Sequence, residues 1–135
     1  MKSLIKKRKV VVISLLCVVL ALGSYTTYYF HGLMSYRTKV SEIVIENIDI
    51  SNIPDGLYIG ECDVGYIYAK VNVMVKNGEI STIDLAEHRN DRGATAESII
   101  GDILVQQRID VDAVSGATNS SSVIKKAVMN ALSEP

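Results

Sequence analysis

Cysteine and histidine are scarce, with two of each in 135 residues. Cys17 lies inside a long apolar run and Cys62 far beyond it, so the two cannot pair if that run crosses a membrane. No CxxC spacing exists to hold zinc or a cluster. His31 and His88 share no metal-ligand spacing, and the glycine patterns of dinucleotide and P-loop sites are missing. No Ser–His–Asp arrangement stands out, so no catalytic residue is assigned. Basic residues are scarce beyond the first nine positions. Five of the 14 lie there, as Lys2, Lys6, Lys7, Arg8 and Lys9, while all 15 acids come later. Residues 10–135 therefore carry a formal charge of -6, which argues against gripping a nucleic-acid backbone.

Charge is absent from VVVISLLCVVLALGSYTTYYF, residues 10–30. This length matches the roughly 20 apolar residues that cross a bilayer. The basic flank predicts a cytoplasmic N-terminus, and Tyr25, Tyr28 and Tyr29 stand where interfacial anchors sit. A cleaved signal peptide is the alternative, with Ala21 and Gly23 as small residues two apart. Either reading exports the remainder. The expected organisation is a basic N-terminus at 1–9, a transmembrane anchor at 10–30, a connector at 31–53 and an exported domain at 54–135.

Within the connector, Val40–Ser51 alternates weakly, as a short strand or extended stalk. Pro54-Asp55-Gly56 signals a turn, LYIGEC opens a strand, and Gly65 marks a turn or bulge. Tyr66–Lys76 alternates, with Ala69, Val71, Val73 and Val75 on one face. Asn77-Gly78 is a two-residue hairpin signal, and EISTIDLAEH returns with Ile80, Ile83 and Leu85 apolar. After a polar loop at Glu87–Ala94, Thr95 is placed to cap a short helix over AESIIGDILVQQR, weakened by Gly101. A second helix from about Ser121 to Leu132 carries an apolar stripe, with Lys125 and Lys126 facing outward. The last residues, from Ser133, read as a frayed end. The fold class is α+β: a small curved antiparallel sheet of three or more strands packed against two helices, preceded by one transmembrane helix. Cys62 reads as a strand residue.

Between the two helices the chain reads DVDAVSGATNSS. Small side chains at Ser115, Gly116 and Ala117 let backbone approach another group closely. Thr118, Asn119, Ser120 and Ser121 then lead into a helix whose first N–H groups lack partners, which suits an anion. A plain turn with Asn119 or Ser120 as N-cap accounts for the same residues.

Asp112–Ser120, DAVSGATNS, resembles the flavinylation motif of the FMN-binding domain family. That family includes subunits of the sodium-pumping NADH:quinone reductase and of the related ferredoxin-oxidising complex, and small stand-alone exported proteins. DGLYIGE at Asp55–Glu61 and VNVMVKNGEISTIDLAEH at Val71–His88 resemble its opening strand and central hairpin. IDVDAVSGATNSSSVIKKAVMNAL at Ile109–Leu132 resembles its motif and closing helix. The resemblance implies FMN joined by a phosphoester bond to the motif's last hydroxyl, here Ser120. Asp112 would be its acidic residue, and Ser115, Gly116, Ala117 and Thr118 its close-approach turn. Ser121 would bind phosphate through its backbone, and no metal is implied for the chain itself. His88 matches a histidine common in relatives: a ring contact, or simply an exposed strand end. Gly65, Tyr66 and the Gly93-Ala94 region are candidate surfaces for the ring. RNDRG, after His88, looks like the stand-alone members.

The implied partners are an exported flavin transferase with FAD as FMN donor, extracytoplasmic or membrane redox proteins, and the lipid bilayer. The reading is an electron carrier at the outer membrane face rather than a stand-alone enzyme. Non-covalent FMN and a flavin-free, membrane-anchored interaction domain are the alternatives.

Overall fold

A computed structural model describes residues 2–90 and 93–133. Asp91 and Arg92 of the expected polar loop, and Glu134 and Pro135 of the expected frayed end, lie outside these residues. The chain divides into two compact units, 1–37 and 38–135.

The first unit is helical. Helix α1, Lys2–Ser41, is continuous and about 60 Å long at 1.5 Å per residue. It is long and apolar enough to cross a membrane by length and composition. From Val10 to Leu22 its valines and leucines are exposed on every face. Ser14, Ser24, Thr26 and Thr27 turn their hydroxyls back to carbonyls three or four residues earlier. They thereby satisfy their polar groups within the helix. Helix continues past Phe30 to Ser41, where a connector was expected. The weak alternation after it forms no strand: residues 43–49 are irregular and Ile50–Asn52 is a single 3-10 turn. Asp49 caps that turn, accepting from Ser51 N and from the Ser51 and Asn52 side chains.

The second unit is a meander of β1 (Gly56–Asp63), β2 (Tyr68–Lys76) and β3 (Glu79–Arg89), antiparallel in the order β1-β2-β3. Asn77 and Gly78 both take positive φ, at 54° and 76°, as a tight hairpin requires. One face of β2 is fully buried at Ala69, Val71, Val73 and Val75, as the alternation predicts. Two register shifts interrupt β3: Met74 pairs with Thr82 but Val75 with Ile80, and Val71 pairs with Leu85 but Lys70 with Glu87. Ser81 and Ala86 are thus extra residues, bulges that bend the strand. Cys62 sits in β1 opposite Ala69; burial pushes its thiol pKa up, which keeps it protonated. Cys17 and Cys62 are both free.

A 3-10 segment, Ala94–Ser98, leads into α2 (Ile99–Gln106). Thr95 lies inside that segment, and neither segment has a side-chain cap, so the expected cap is not formed. Gln107 ends α2 in the left-handed region and its amide bonds Ile80 N and O, tying α2 to β3. Helix α3, Thr118–Ser133, covers β1 and β2. Its stripe of Val123, Ile124, Ala127, Val128, Ala131 and Leu132 is buried. At Gly60 the helix and the strand meet backbone to backbone. A Cβ there would stand 2.2 Å from Ala127 O and 2.4 Å from Ala131 N.

Gly60 and Gly101 give opposite expectations. Gly60→Ala forces α3 off the sheet and is expected to cost about 3 kcal/mol or more. Nothing lies within 4 Å of a Cβ at Gly101 in α2, so Gly101→Ala is expected to stabilise by about 0.5–1 kcal/mol through helix propensity. Urea-dependent proteolysis of the detergent-solubilised chain measures both. Equal effects at the two sites would refute the close approach.

Candidate functional site

The site is built at the start of α3. The helix begins three residues before its expected start, because Ser121 N bonds Ala117 O at 2.9 Å. Asn119 and Ser120 are therefore in the first turn rather than at a cap. Ala117 occupies the cap position with no side-chain acceptor, so the N–H groups of the opening turn receive no capping bond from it. Ahead of it Ala117 N donates to Val114 O at 3.0 Å, closing a turn through Ser115 and Gly116. Gly116 takes φ 79°, and nothing lies within 4 Å of where its Cβ would be. The turn is open to solvent on that side.

The hydroxyls of this cluster part company. Ser115 and Thr118 are exposed. Ser120 is 2% exposed and lies against Gly93, whose Cβ, if present, would meet Ser120 Oγ at 1.9 Å. Ser121 is fully buried, and its Oγ accepts from Val114 N at 3.0 Å. Asp112 is exposed. Thus Ser115 and Gly116 form an open turn that leads through Ala117 to the exposed Thr118, while Ser120, the expected acceptor, faces inward.

Lys125 departs further from expectation. It was placed outward with Lys126, yet it is 8% exposed. Its Nζ donates to Val111 O at 2.8 Å and lies 3.7 Å from Asp110 Oδ1. The irregular segment before the turn supplies carbonyls that need donors, and the lysine provides one.

His88 is brought to the same region by the bulge at Ala86. Its partner across the sheet is Ala69, so it lies on the inner face, and its side chain is 2% exposed. It is not an exposed strand end. Nδ1 stands 2.9 Å from Glu97 Oε1 and 3.3 Å from Asn90 Nδ2. An ionised carboxylate only accepts, so the proton of a neutral ring sits on Nδ1. Nε2 is buried with no partner among the described residues. Asn90 Oδ1 accepts from Gly93 N at 3.0 Å, and Gly93 lies against Ser120. Asn90 and Glu97 were not anticipated; only the three-dimensional register brings them to the histidine.

Gly65 and Tyr66 lie at this same end of the sheet. Arg89 Nη2 donates to Gly65 O at 3.1 Å, pairs with Asp63 at 3.4 Å and stacks over Tyr68. Tyr68 donates to Glu61 at 2.8 Å, and that bond pushes its phenol up to about 12. Gly65 has φ 96° with open space beside it, and Tyr66 is exposed. No group of His, Cys, Asp and Glu among the described residues could hold a metal ion.

An open turn, a helix start whose cap residue Ala117 offers no side-chain acceptor, an exposed hydroxyl and a buried nitrogen with no partner among the described residues are features that a phosphorylated, hydrogen-bonding ligand would satisfy. The model of the FMN-binding domain matches residues 65–133. The chain belongs to the FMN-binding domain family. Its cofactor is FMN, which sets aside the flavin-free reading. No curated protein and no solved structure matches the chain. The match takes in β2, β3, the 3-10 segment, α2, the motif and α3, whereas β1 precedes it.

Contact between Gly93 and Ser120 is expected to show as coupling. Gly93→Ala should destabilise by about 1–3 kcal/mol through overpacking. Ser120→Gly in the same chain should recover much of it, so that the pair costs less than the sum of its parts. Strict additivity in the proteolysis measurement would contradict this packing.

Proposed function

We propose that the chain is a membrane-anchored flavoprotein whose FMN is fixed by a phosphoester bond at the opening turn of α3, outside the cytoplasm, and that it relays electrons. Support for the anchor comes from the apolar run, its basic flank and a helix long enough to span. Basic residues before a span favour the cytoplasmic side, which leaves the flavin domain on the other.

Exposure carries the choice of acceptor. Thr118 presents an accessible hydroxyl at the first position of α3, whereas Ser120 is packed under Gly93. An enzyme of separate origin reaches the first and not the second. Thr118 Oγ1 forms the new O–P bond to the FMN phosphorus of FAD, the pyrophosphate P–O bond breaks, and AMP leaves. The hydroxyl proton goes to a base on the flavin transferase, which uses magnesium; a threonine hydroxyl is too weak a nucleophile to react unaided. The N–H groups at the helix start would be the donors that hold the phosphodiester. Bound FMN supplies one- and two-electron chemistry. The chain's residues position it: the turn fixes the phosphate, and His88 Nε2 offers a hydrogen-bond acceptor. Electron donors and acceptors in this reading are membrane or extracytoplasmic redox proteins.

Intact mass of the denatured chain, isolated from cells with an active flavin transferase, tests the attachment. Wild type and Ser120→Ala are expected to carry the added mass of FMN, and Thr118→Ala to lack it. Mass retained in Thr118→Ala and lost in Ser120→Ala would return the acceptor to Ser120. Yellow protein of unmodified mass would establish non-covalent FMN instead.

His88→Leu is expected to take up at least about ten-fold less FMN, because it removes a polar contact of roughly 1–3 kcal/mol. Its unfolding midpoint should fall little, since an orphaned buried nitrogen is itself a cost. Uptake at the wild-type level would exclude His88 from the site.

A further inference from the structure

We propose that Lys125 and Ser121 are positioning residues that hold residues 111–117 against α3 in the shape that presents Thr118. The proposal rests on Thr118 as the acceptor. Residues 108–117 form no regular helix or strand; beyond the local bonds of Val111 N to Ile109 O, Ala117 N to Val114 O and Ser121 N to Ala117 O, their backbone groups depend on side chains or solvent for partners. Two side chains one helical turn apart supply them. Lys125 Nζ donates to Val111 O at 2.8 Å, and Ser121 Oγ accepts from Val114 N at 3.0 Å. Val114 O in turn accepts from Ala117 N, directly before Thr118. The motif is thereby pinned on both sides of Asp112 and Ala113, while those two residues stay exposed.

Stability alone gives little reason for a lysine here. A buried ammonium gives up much of its hydration, and an apolar side chain of similar length in such a place is often neutral or stabilising. Asp110 is largely exposed and 3.7 Å away, so it offsets little of that cost. What methionine could not do is donate to Val111 O. Ser121 is likewise a polar residue in a fully buried position, and its hydroxyl accepts from the motif's Val114 N.

The test uses the full chain in detergent, as Lys125→Met, Ser121→Ala and Lys125→Arg. Amide hydrogen exchange at Val114 and Ala117 is expected to quicken at least about ten-fold in the first two variants, with β2 amides unchanged. The arginine variant, which can still donate to Val111 O, should keep most of the protection. Labelling by flavin transferase and FAD should slow about ten-fold in Lys125→Met and recover in Lys125→Arg. Unchanged exchange at Val114 and Ala117 overturns the proposal. So does loosening spread evenly through the sheet, which would make both residues merely structural. If wild type itself takes no FMN, the acceptor reading fails, and the exchange result still decides whether these side chains hold the motif.

Discussion

The contact of α3 with Gly60 fixes where everything else can be. A strand residue with any side chain would stand the helix off the sheet by the thickness of that side chain. Without one, the backbone at Ala127 and Ala131 lies directly on β1, and Asn130 reaches Glu61 O at 2.9 Å. The helix then cannot slide or roll without breaking that fit. Its first turn, more than two turns away, inherits a fixed height over the sheet and a fixed rotation. The site is therefore placed by packing far from its chemistry, in keeping with the general rule that precise sites stand on rigid elements.

A second constraint comes from β3. Perfect alternation from Ile83 and Leu85 would carry Glu87 and Arg89 into the core and turn His88 to solvent. The extra residue at Ala86 reverses the parity, so that Glu87 pairs with Lys70 on the outer face and His88 with Ala69 on the inner one. One bulge thereby keeps two charges out of the core and brings an imidazole in. The cost is a buried nitrogen without a partner among the described residues, of the kind that folded proteins seldom leave unexplained. Glu97, in the segment that follows β3, takes the other ring nitrogen and so sets the tautomer.

Much of this fold was legible because its elements follow simple periods. The alternation from Ala69 to Val75, the Asn77-Gly78 turn and the stripe on α3 are each local, and each survives in the structure. What escaped depends on long-range geometry or on reading residue type ahead of position. Lys125 was placed outward because it is charged. Yet it stands in one row with Ser121, Val128 and Leu132, all buried, at spacings of four, three and four that put them on one helical face. The bulge at Ala86 leaves no mark in the sequence, since alanine suits either face, and so His88 could not be located. The helix start was set late because Asn119 and Ser120 look like caps, whereas the bond that starts the helix uses only backbone at Ala117 and Ser121.

The same geometry separates hydroxyls that the sequence presents as equivalent. Thr118 and Ser120 are two residues apart, hence about 200° apart around a helix. Once Gly60 sets the rotation of α3, one of them must face the core side and the other away from it. The serine faces in and fills the space left by Gly93; the threonine faces out beside an open glycine turn. Hydroxyl chemistry differs little between these two residue types. Which of them stays accessible from outside is decided by the angle at which the helix is docked, and that angle is set on β1 rather than in the motif.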